Sequence, residues 1–166
     1  MKKVAVLMGS DSDLPVVEKA INTLKDFGVP VEVHVYSAHR TPEQVREFTS
    51  KARENGFGAI IAAAGKAAHL AGAIAAQTTL PVIGIPVASA PFNGLDALFS
   101  IVQMPPGIPV AAVTAGKAGG KNAALYAISI LALSDNTLAE KLKAFRLKQK
   151  EQVLAADLDL QKELAD

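Results

Sequence analysis

Five short apolar runs, each bounded by Gly, Pro or polar turn residues, alternate along this chain with segments of helical period. The runs are Lys3–Met8, Val31–Tyr36, Ala59–Ala64, Pro81–Pro86 and Ile108–Thr114. Most lack the strict polar alternation of a half-solvated strand, so they predict strands buried on both faces. Between them, Leu14–Phe27, Pro42–Asn55, about Ala67–Thr78, Gly94–Val102 and Gly119–Leu133 predict helices. In the first of these, Val17, Ala20, Ile21, Leu24 and Phe27 recur at helical spacing, and Gly28 is placed to end it. Apolar strands joined by helices imply parallel pairing with both sheet faces covered. The expected fold is α/β: a three-layer αβα, doubly wound domain of flavodoxin or Rossmann type. It would hold a five-stranded parallel sheet and a C-terminal helix. With 166 residues the chain is too short for a closed βα barrel.

That length predicts a single domain over residues 1–166, with its core at about 3–135 and a helical tail at 136–166. The tail carries Glu140, Lys141, Lys143, Arg146, Lys148, Lys150 and Glu151 as a solvated face, with Leu138, Leu142, Phe145, Leu147 and Val153 as a rough apolar stripe. Such a stripe suits the helix's own domain or a neighbouring subunit equally. Apolar residues make up 50% and charged residues 20%, which excludes a disordered chain. Lys and Arg number 17 against 16 Asp and Glu, so no electrostatic footprint points to nucleic acid or an acidic membrane. The uncharged stretch from Ala67 to Leu95 is broken by His69, Gln77, Asn93 and three prolines, so no membrane span is expected. The first apolar run stops at Gly9 without a small-residue cleavage site and reads as a strand, not a leader. A soluble, cytoplasmic protein is the expectation. The absence of Cys excludes a disulfide scaffold, a thiolate nucleophile and a Cys-ligated metal. Three His (34, 39 and 69) are few for a zinc site. From Phe57 to Leu133, 77 residues, the only charges are Lys66, Asp96, Lys117 and Lys121. A small monomer exposes too much surface for so few charges, so a homo-oligomer is expected.

In doubly wound sheets ligands bind beyond the carboxyl ends of the strands. After the first strand comes Gly9-Ser10-Asp11-Ser12-Asp13, whose hydroxyls and helix-start N–H groups suit an anion, with Asp13 suited to sugar hydroxyls. The same residues also suit a plain N-cap cluster. After the second comes Ser37-Ala38-His39-Arg40-Thr41-Pro42, in which Thr41 and Pro42 open a helix. Arg40 would complete a phosphate site there, or else lie as a surface Arg. After the third, His69 stands amid Gly and Ala, either packed and satisfied or acting as a general acid–base.

These loops, with SIVQMPPGIPV (100–110) and GKAGGKNAA (116–124), resemble the class I N5-carboxyaminoimidazole ribonucleotide mutases over about residues 3–150. The resemblance implies a small enzyme of de novo purine synthesis that moves a carboxylate from nitrogen to ring carbon by way of carbon dioxide. It implies that Ser10, Asp13, Ser37 and Arg40 bind the ribose phosphate end of a small-molecule substrate. It makes His69 the proton-shuttling residue and His39 a wall of the same pocket. No cofactor, neither ATP, biotin nor metal, is implied, and the assembly would be a homo-octamer. A related class carboxylates aminoimidazole ribonucleotide directly, usually with Lys where this chain has Arg40 and without the AAHL run. A non-catalytic nucleotide- or sugar-phosphate-binding regulatory domain would share the fold. The chain departs from the family pattern at Lys66, commonly Gly, at Ala71, commonly Pro, and at Pro91, Phe92 and Ala115. Lys66 is expected to point into solvent, because Lys seldom stays buried.

Overall fold

The computed structural model describes residues 1–165. Strands β1 (Lys3–Met8), β2 (Val31–Val35), β3 (Phe57–Gly65), β4 (Val82–Val87) and β5 (Ala111–Ala112) form one sheet in the order β2-β1-β3-β4-β5. All four pairings are parallel. The chain starts in mid-sheet, winds to one edge and crosses back to the other. The loops after β1, β2 and β3 therefore meet at one topological switch point, where such sheets bind ligands.

Side-chain alternation sorts each strand between two layers. Val4, Val6, Met8, Ile61 and Ile83 pack with Val17 and Leu24 of α1 (Leu14–Asp26) and Ala127 and Ile128 of α5 (Gly116–Leu131). Ala5, Leu7, Ile60, Ala62 and Val82 pack on the other face with Val45 of α2 (Pro42–Lys51) and Leu70 and Ile74 of α3 (Leu70–Ala75). Helix α4 (Leu95–Val102) lies over β4 with Ala97 and Ile101 buried. A Cβ on Gly120 would strike the carbonyl oxygen of Val16, so α1 and α5 touch backbone to backbone.

The α/β three-layer expectation stands, with changed boundaries. The last strand shrinks from Ile108–Thr114 to Ala111–Ala112. It is an edge strand, and Pro109 has no N–H to give a ladder. The third helix, expected over about Ala67–Thr78, is only Leu70–Ala75, because Lys66 takes a left-handed φ of 55° and the chain turns before coiling. The second ends at Lys51 instead of Asn55, and β3 starts two residues early at Phe57, after Gly56 at φ 84°.

The tail is α6 (Asn136–Ala165). Its first turns belong to the core that was expected to end at about 135: Leu138 is fully buried, and Leu142 and Phe145 pack on the α1/α5 layer. Phe145 meets Phe27 edge-on at 5.7 Å between centroids, and Lys141 Nζ donates to the Phe27 carbonyl at 2.7 Å. Leu147 and Val153, read from sequence as part of the same stripe, are instead exposed. Among the described residues no helix is long and apolar enough to cross a membrane.

Candidate active site

A cleft of about 760 Å³ opens at the carboxyl ends of β1 to β4 and gathers Ser10, Asp13, Ser37, His39, Arg40 and His69. A second cleft of about 770 Å³, at the opposite ends of the strands, includes Arg53, Thr79 and Pro109. Among the described residues no imidazole lines it. All six side chains that the sequence singles out line the first.

The β1 wall is a 3-10 turn, Asp11–Asp13, closed as a capping box. The Ser10 N–H donates to Asp13 Oδ2 at 3.2 Å, the Ser12 N–H donates to Ser10 Oγ at 3.3 Å, and the two serine hydroxyls lie 2.9 Å apart. The N-cap reading thus describes what Ser10 and Asp13 do here, while both still line the cleft. Asp13 is 7% exposed. Burial pushes its carboxyl above the ordinary value; the Ser10 N–H pulls it down, Asp11 pushes it up and Arg40 pulls it down.

The β2 wall is folded by Thr41, whose Oγ1 accepts the Ser37 N–H at 2.8 Å and donates to the Ser37 carbonyl at 3.2 Å. Thr41 holds the N-cap position before Pro42, as its place in the sequence suggests, but its hydroxyl closes this loop without capping α2. The Arg40 N–H donates to Ser37 Oγ at 3.2 Å. Its guanidinium crosses to the first wall, where Nη2 donates to the Gly9 carbonyl at 2.9 Å. A planar fork held at one nitrogen is pre-oriented for an anion at the others.

The β3 wall carries His69 at the N-cap position of α3. His39 Nε2 and His69 Nδ1 lie 2.7 Å apart, with ring centroids 4.8 Å apart and planes at 76°. One of these nitrogens must carry a hydrogen and the other a lone pair, so the contact couples the tautomers of the two rings. His39 Nδ1 and His69 Nε2 remain for a ligand. Lys66 is exposed at the rim of the same cleft. The structure brings all six expected site residues together. Sequence reasoning missed the imidazole contact, and it missed Ser89, whose buried Oγ lines the cleft after β4 without a partner among the described residues. The signal for the first was present in the topology: loops from the two neighbours of β1 must converge.

A family model described as AIR carboxylase matches residues 3–152. An N5-carboxyaminoimidazole ribonucleotide mutase of Pyrococcus abyssi is 56% identical over 146 residues, covering 88% of this chain and 83% of that relative. One of Methanocaldococcus jannaschii is 54% identical over 154 residues, covering 93% and 94%. The crystal structure of Treponema denticola PurE is similar with a TM-score of 0.86 at 32% identity, over 95% of this chain and 97% of that one.

Proposed function

The chain belongs to the AIR carboxylase family, and we propose that it works there as an N5-carboxyaminoimidazole ribonucleotide mutase, an isomerase of purine biosynthesis. The observation that carries this reading is the 56% and 54% identity, over most of both chains, to relatives of that name. The whole chain is read as one mutase domain with α6 as its tail.

The chemistry balances within one substrate. The nitrogen–carboxylate bond breaks and its electron pair returns to nitrogen, which takes a proton. Carbon dioxide is released, and the electron-rich ring carbon 4 attacks it. That carbon then loses its hydrogen. One proton thus moves from carbon to nitrogen, and one titratable unit that gives and takes it suffices. We assign that unit to His69 in contact with His39, whose 2.7 Å bond can relay the proton between rings. Arg40, Ser37 and Ser10 take the phosphate and Asp13 the ribose hydroxyls. Apolar walls such as Ala64 and Ala67 favour the neutral carbon dioxide over its escape to water.

The reading includes a homo-oligomer, an octamer in the fullest form, working in the cytoplasm. Exposed apolar side chains support the homo-oligomer: Leu95, Phe99 and Val102, at spacings of four and three, line one side of α4, Phe92 lies in the turn just before it, and each is more than half exposed. An apolar row of this kind marks an association surface.

The test is to supply N5-carboxyaminoimidazole ribonucleotide without bicarbonate and follow the ring absorbance. Turnover supports the mutase. Activity only on aminoimidazole ribonucleotide plus bicarbonate would make the chain a direct carboxylase, and tight binding without turnover would make it a binding domain.

A further inference from the structure

We propose that the outer half of α6 pairs antiparallel with the same segment of a second copy. From Arg146 onward this helix leaves its own domain. Leu147, Leu154 and Leu158 are 56%, 52% and 61% exposed. Their spacings of seven and four put them on one helix face, roughly opposite the face that Leu138, Leu142 and Phe145 bury. An apolar row turned away from the molecule that carries it calls for a cover from outside.

Charge says what covers it. Residues 141–150 hold Lys141, Lys143, Arg146, Lys148 and Lys150 and no acid. Residues 151–165 hold Glu151, Asp157, Asp159 and Glu163 against Lys162 alone. A parallel pair would lay basic half on basic half. An antiparallel pair lays each basic half on an acidic half, twice, about a two-fold axis, which is the self-complementary form a symmetric contact requires. With Leu147 opposite Leu158 of the second copy, Lys148 lies on the same flank of the seam as Asp159 and Lys150 on the same flank as Asp157, each pair two residues, about 3 Å, from level. Glu151, on the same face, falls near the centre of the seam, level with Leu154 of the second copy. The family match ends at residue 152, so most of the acidic half lies beyond it.

The contact is independent of the chemistry proposed above, and its test needs no activity assay. The chain has no cysteine, so Leu154→Cys gives a single thiol for a short bis-maleimide. Covalent dimers on a denaturing gel are the expected result. Reversing the basic half (Lys148→Glu with Lys150→Glu) or the acidic half (Asp157→Lys with Asp159→Lys) should each cut the yield severalfold. Co-expressing the two reversed forms under different tags should restore it as the mixed dimer, since every facing pair is then opposite in sign. A thermal melt equal to the parent's checks that the buried first turns of α6 are intact. Absence of dimer in the single-thiol chain overturns the proposal. So does a yield indifferent to both reversals, or a mixed dimer that fails to recover.

Discussion

His39 and His69 stand 30 residues apart in sequence yet share a 2.7 Å contact. The pair predicts that His69→Asn and His39→Asn each keep the fold and lose at least ~10²-fold in turnover, the usual reach of a positioned acid–base group. Steady-state rates with circular dichroism as the folding control check this. Activity within a few-fold of the parent in either variant would remove that ring from the mechanism. Asp13 shows the opposite balance, a site residue that works against stability. Burial raises its folded-state pKa above 3.8. The folded chain thus holds the proton more tightly than the unfolded one, and ionised Asp13 weighs against the fold at neutral pH. That cost fades as pH falls through the folded value and is gone below 3.8. Asp13→Asn should accordingly melt higher than the parent at pH 7, with the gain shrinking toward acid, while substrate affinity falls. A lower melting temperature at pH 7 would contradict the argument. Lys66 gains a physical reading too. Its φ of 55° lies in the left-handed region that favours Gly over a side chain such as Lys. Its charge was legible in the sequence; its backbone was not.

At the scale of elements, the small residues of α5 matter through what they let approach. A Cβ at Gly120 would fall on the Val16 carbonyl, and one at Gly119 on the Thr114 carbonyl. Neither oxygen can move without shifting its helix or strand end. Gly120→Ala should therefore destabilise the fold by about 1–3 kcal/mol, the range for overpacking a tight contact. Chemical denaturation would show this as a lower midpoint with an unchanged slope. An unmoved midpoint would mean that α1 slides aside freely. In the sequence this run reads only as part of a motif, because nothing local says which carbonyl will lie against it. The helices with clear starts and periods, α1 and α4, were readable to within about one residue at either end. Helix α3 and strand β5 were not, since a left-handed residue and an edge position cut them short.

For the whole molecule, the exposed row on α4 and the charge-poor stretch it belongs to predict a closed homo-oligomer. Light scattering at low micromolar concentration should give a multiple of 17.3 kDa. Phe99→Glu, which places a charge in the middle of that row, should shift the mass downward. A stable, active monomer of the parent chain would end the reading. The sequence by itself determined the layer architecture, because strand and helix periods are set by local geometry and apolar runs leave a parallel sheet few alternatives. It also singled out the loops that line the cleft, since ligands gather past the strand ends. Only the tertiary structure decided that the loops of β2 and β3 close over β1, and so that Arg40 reaches Gly9 and His39 reaches His69. It also decided that α6 divides at about Phe145 into a buried stem and an exposed arm. Both outcomes depend on strand order and on where a neighbouring surface ends. Those are distances across the fold, and no local pattern of residues encodes them.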